Sequence, residues 1–167
     1  MIDLRDHVSC DLEQIFEKCF FADFRTVLCG SWSEPFYLPG GWPLDELDAS
    51  DREKVVSSGS YRPNRALLCY RSNYFASALH EVAHWCIAGE KRRKQLDFGY
   101  WYIPDDRDIE SQNNVQQVER APQALELLFS IACGYPFKVS IDNPALLDVS
   151  DELIEPKREF VKKINAR

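Results

Sequence analysis

Apolar side chains at Val8, Leu12, Ile15, Phe16, Cys19 and Phe20 recur at intervals of three and four, which predicts an amphipathic helix over residues 9–21. Asp11 with Gln14 has the form of a capping box at its start. Short runs rich in β-branched and aromatic residues predict strands at 26–29 and 35–38. Residues 39–64 mix Pro, Gly, Asp, Ser and Arg without a sustained period and read as a long loop, or as a lid over a site. The run Arg-Ala-Leu-Leu-Cys-Tyr at 65–70 predicts a buried strand feeding a central helix over 73–88. Ser72 or Asn73 is placed to cap that helix, and Gly89 to stop it. An aromatic strand-like segment at 99–103 leads into the acidic turn of Asp105, Asp106 and Asp108. A further helix starts before Pro122, a residue tolerated in a first turn, and runs through Leu125, Leu128 and Ile131 to Gly134. A weak helical pattern spans 153–164. With no internal repeat, the order of elements predicts a single α+β domain over 1–167, a small sheet with helices packed on it.

Composition supports a packed core: 167 residues are 45% hydrophobic and 13% aromatic, which excludes a disordered chain. The net charge of −7 makes phosphate neutralisation a poor route to binding, so no direct nucleic-acid partner is expected. It suits a cationic partner better. The basic cluster Lys91, Arg92, Arg93, Lys94 falls at a helix end, where cations complement the dipole. No apolar run approaches the roughly 20 residues of a membrane span, and the first residues lack the layout of a secretory signal. The six cysteines contain no Cys-x-x-Cys and are expected to be mostly buried, reduced thiols in a cytoplasmic protein.

The segment His80-Glu81-Val82-Ala83-His84 carries the chemistry. Histidines four apart lie on one helix face and can share one metal, with the intervening glutamate available as a base. On the helix wheel Phe75, Leu79, Val82 and Cys86 form a core stripe, and both histidines lie on the opposite side, bordered by Ala76, Ala83 and Ile87. A third ligand must be acidic, since the remaining histidine is far upstream at position 7. The candidates are Asp97, Asp105, Asp106, Asp108, Glu110, Glu119 and Glu126. Spacing favours Glu119, which opens the next apolar helix, although a carboxylate there also serves the helix dipole. Asp97 has a second reading, orienting a histidine from behind. Two histidines and a carboxylate fit either Zn²⁺, with Glu81 as general base of a hydrolase, or an Fe(II) facial triad for oxygen chemistry. A purely structural metal in a binding module would need a fourth ligand, and no convincing one stands in the sequence.

Several blocks together resemble the elongation factor P hydroxylases of the EpmC (YfcM) type. They are FADFRTVL at 21–28, EPFYLP at 34–39, NYFASALHEVAHWCIAG at 73–89, LDFGYWYIPDDRD at 96–108 and VERAPQALELLFSIACGYPFKVSIDN at 118–143. The resemblance implies hydroxylation of an elongation factor P lysine already carrying a β-lysyl group. It implies an α+β fold like that of the YbeY metal-dependent ribonucleases. It also implies a divalent metal, Fe(II) in a facial triad, held by His80, His84 and Glu119, with Glu81 as a nearby acid or base. The cationic substrate would meet a negative rim of Asp97, Asp105, Asp106 and Asp108. Neutralising Asp106 and Asp108 is then expected to weaken substrate binding and leave metal content intact; unchanged affinity would contradict the rim.

Overall fold

The computed structural model describes residues 7–99 and 109–138, with the backbone alone over 109–118. The chain divides into two compact units, Met1–Phe137 and Lys138–Arg167, and the description concerns the first. It is α+β, with four helices and a three-stranded sheet among the described residues. Helix α1 (Ser9–Phe24) leads into strand β1 (Thr26–Trp32) and the short strand β2 (Phe36–Leu38). Helix α2 (Ala49–Ser57), strand β3 (Ala66–Arg71), helix α3 (Phe75–Arg92) and helix α4 (Ile109–Cys133) follow. The sheet order is β1-β3-β2, with β3 parallel to β1 and antiparallel to β2.

Strand β3 is buried from Ala66 to Tyr70 because both of its faces are covered. Ala66, Leu68 and Tyr70 join Leu28 and Tyr37 in a cluster with Phe16 of α1 and Ala78, Val82 and Trp85 of α3. Leu67 and Cys69, on the other face, pack with Trp32, Leu38, Leu47 and Val55. An unbroken apolar run is what a strand covered on both sides requires.

This second layer corrects the long loop expected over 39–64. That stretch contains a 3-10 turn (Leu44–Glu46) and α2, whose start is capped by Asp48 Oδ1 accepting the Asp51 amide at 2.8 Å. Leu47 and Val55 are its buried contacts, too few to print a periodic signal on the sequence. The capping box expected at Asp11 and Gln14 does not form either; Val8 is the N-cap of α1, without a side-chain cap. Tyr74, rather than Ser72 or Asn73, is the N-cap of α3. Gly89 does interrupt α3, at φ 64° and ψ 175°, but a further turn continues to Arg92. Helix α4 starts at Ile109, so Pro122 sits in its interior and not in its first turn. There it cannot donate to the carbonyl four residues back. The segments expected at 100–103, 105–108 and 153–164 lie outside the described residues.

Trp85 sets how α3 lies on the core. It is 1% exposed, and its ring centroid lies 5.0, 4.9 and 5.1 Å from those of Phe16, Phe20 and Phe24. Arg93 stacks on Trp85 at 4.1 Å and donates from Nε to the Trp85 carbonyl at 3.1 Å, so one member of the basic cluster does satisfy the helix end. Of the six thiols only Cys69 is fully buried, while Cys10, Cys19 and Cys133 are exposed, which corrects the expectation that most are buried.

Candidate metal centre

With Trp85 anchored in the aromatic cluster, the face of α3 that carries His80 and His84 turns toward α4, which packs against it. Their rings are 4.6 Å apart and inclined at 70°, with Nε2 facing Nε2 at 3.0 Å. Glu119 of α4 brings its Oε2 to 3.4 Å from His80 Nε2 and 3.3 Å from His84 Nε2. Three atoms with lone pairs to offer thus form one triangle, from three residues that could hold a metal ion. Bonds of ~2.1 Å to a single metal set neighbouring ligands ~3.0 Å apart in an octahedral site and ~3.4 Å apart in a tetrahedral one. The triangle has the edges that a metal would impose, so the donor set fits the ion.

The opposite ring nitrogen of His80 is held as well. Nδ1 lies 2.8 Å from Glu126 Oε2, and Glu126 is buried at 5% exposure. Glu119 and Glu126 are seven residues apart on α4, two turns, and so share one helix face. One helix supplies a carboxylate to each side of the same imidazole. Glu126 stood among the acidic candidates in the sequence, with nothing there to set it apart from the others.

Electrostatics follow from this crowding. Burial alone would lower the His80 pKa, but hydrogen bonds to Glu119 and Glu126 and the Glu81 charge raise it to about 10. Burial pushes Glu119 up, yet the two histidines outweigh it and hold that carboxyl at about 2. Glu81, buried on α3, is pushed up to about 7 by desolvation against the opposing pull of His84 and His80. The site therefore attracts a cation, and a proton on His80 is the smallest that satisfies it.

Other candidates fall elsewhere. Asp97 does not orient a histidine: its Oδ1 accepts the Tyr37 backbone amide at 2.7 Å, tying the turn after α3 to strand β2. Burial, opposed by that hydrogen bond, raises its pKa to about 6. His7 Nε2 lies 2.8 Å from the Cys133 carbonyl, away from the triangle. Cys86 packs against the core cluster, as expected of a residue that is no ligand. Asp105, Asp106, Asp108 and the aromatic residues Tyr100, Trp101 and Tyr102 lie outside the described residues, as does the Glu110 side chain.

Comparison with known proteins places the chain. The model of the family described as elongation factor P hydroxylase matches residues 15–166. The Haemophilus influenzae protein named elongation factor P lysine hydroxylase is 39% identical over 138 residues, spanning 83% of this chain and 67% of that protein.

Proposed function

The chain belongs to the elongation factor P hydroxylase family, and from that premise we propose that this protein-lysine hydroxylase uses Fe(II) to hydroxylate the β-lysylated lysine of elongation factor P. The observation that carries the metal reading is the triangle of His80 Nε2, His84 Nε2 and Glu119 Oε2, with edges of 3.0, 3.4 and 3.3 Å. Two histidines and one carboxylate are the ligand set of non-haem iron oxygenases, which leaves positions open for reaction partners. Fe(II) bound there would supply the oxygen-activating chemistry that hydroxylation of a carbon needs.

The protein's own groups do the rest. His80 and His84 present neutral nitrogens once their shared proton is displaced, and Glu119, held at about 2, offers a charged carboxylate at any physiological pH. Glu81, near 7, can hold or release a proton close to neutrality, the property an acid/base group beside the centre requires. Replacing Glu81 by Gln is expected to leave metal binding within a few fold and to flatten the pH profile of hydroxylation near neutrality. A Glu81→Gln profile identical to that of the wild type would remove Glu81 from the proton chemistry. We read the helix-on-sheet arrangement as YbeY-like, and residues 1–167 as one hydroxylase-like domain acting in the cytoplasm. The negative rim on the acidic turn remains part of this reading, through Asp106 and Asp108.

The test is intact-mass measurement of β-lysylated elongation factor P after incubation with iron-loaded protein, dioxygen and a reductant such as ascorbate, which supplies the electrons that take the second oxygen atom to water. Gain of one oxygen supports the reading; no gain from folded, iron-loaded protein contradicts it.

A further inference from the structure

We propose that Glu126 is a positioning residue of the metal centre, holding the His80 ring with Nδ1 toward its own carboxylate and Nε2 toward His84 and Glu119. The inference rests on the reading of His80, His84 and Glu119 as metal ligands.

A neutral imidazole carries one N–H and one lone pair, and the partner of one nitrogen decides which it is. Glu126 Oε2 at 2.8 Å from Nδ1 is an acceptor, so the proton resides on Nδ1 and the lone pair on Nε2. That lone pair faces His84 Nε2 at 3.0 Å and Glu119 Oε2 at 3.4 Å. Without an acceptor behind it the ring could flip or change tautomer, and either change would turn an N–H toward the metal position. The carboxylate–histidine–metal relay also makes the ligand nitrogen more basic. Glu126 is 5% exposed and stands on an apolar stretch between Leu125 and Leu127. A leucine there would be easier to bury, because a carboxylate gives up its hydration. Its hydrogen bond to His80 offsets that cost. Helix α4 carries both Glu119 and Glu126, so the ligand and the brace move together.

The experiment uses Zn(II) as probe on the apo full-length chain. Affinity is measured by chelator competition for the wild type, Glu126→Gln and Glu126→Leu, with thermal melts confirming that each folds. The His80 Nδ1–H signal of the zinc-loaded protein is followed by ¹⁵N–¹H NMR. Glu126→Leu is expected to bind zinc about 10- to 100-fold more weakly and to lose the hydrogen-bonded Nδ1–H resonance. Glu126→Gln, whose amide oxygen still accepts that proton, should lose only about 3- to 10-fold. Folded Glu126→Leu with affinity within twofold of the wild type, or with the resonance unmoved, overturns the proposal. Should Glu126→Leu fail to fold, Glu126→Gln decides, and unchanged affinity and resonance there overturn it equally. Failure of the wild type to bind zinc would instead remove the metal reading itself, and this proposal with it.

Discussion

On the proposed reading a proton and a divalent metal would compete for the same place between His80, His84 and Glu119, and pH would shift that competition in a stated direction. The folded-state pKa of His80, about 10, lies above its ordinary 6.5, so its contribution to stability is full below about 6.5 and is lost as pH rises through 10. Glu81, raised from 4.5 to about 7, also contributes most when protonated and loses that contribution as pH rises through 7. Glu119, depressed to about 2, contributes above its ordinary 4.5 and loses its share as pH falls toward 2. The metal-free protein is therefore expected to be most stable near pH 5–6. Its melting temperature should fall by on the order of 5 °C by pH 9; a melt flat between pH 6 and 9 would contradict this. Metal binding runs the other way, because His80 must give up its proton. Zinc affinity should climb up to about tenfold per pH unit as pH rises toward the His80 pKa of about 10. Removing a ligand outright, as in His84→Ala, is expected to cost more than the ~100-fold upper range of an outer partner. At this scale the sequence was legible for both histidines, whose spacing alone puts them on one helix face. Spacing favoured Glu119 among seven acidic candidates but left its dipole role open until the resemblance chose it as a ligand, because helix-to-helix contacts leave no local pattern. The place of Glu126 behind His80 was not legible for the same reason.

Helix α3 can be read from the chain because its apolar stripe, its histidine face and Gly89 all have local signatures. Helix α2 could not be, since it buries only Val55 within a charged, nine-residue stretch, with Leu47 buried just before it. Its one clear signal was Asp48 three residues before Asp51, an N-cap pair. The second face of β3 nonetheless demanded a cover, and α2 with its preceding turn is that cover. Val55→Ala is expected to destabilise the fold by about 2 kcal/mol, from apolar area lost at a fully buried position; denaturant unfolding measures it, and a change under about 0.5 kcal/mol would mean that α2 does not pack as described. Gly30 tests the opposite layer. A Cβ there would lie 2.6 Å from Asn73 Oδ1 and 2.7 Å from the Tyr70 ring, beside the amide that donates to Glu13 of α1. Gly30→Ala should cost about 1–3 kcal/mol by overpacking, read in the same unfolding experiment. Pro122 marks the limit of local rules: tolerance of Pro in a first turn placed the start of α4 too late, and Glu119 is consequently ten residues inside the helix and not at its opening.

For the whole molecule, a net charge of −7 suits a cationic lysine side chain as target, and among the described residues no helix is long and apolar enough to cross a membrane. A metal bound at the proposed centre would join α3 to α4 and so link the site to global stability. Zinc or anaerobic Fe(II) at 100 times its dissociation constant should stabilise the fold by about 2.7 kcal/mol, and a chelator should reverse the gain. The most direct test of the central claim is the intact mass of β-lysylated elongation factor P co-expressed with this protein or with its His84→Ala variant. The account predicts a gain of one oxygen atom with the wild type and none with the variant. No gain from folded, metal-loaded wild type, or an equal gain with the variant, would contradict it.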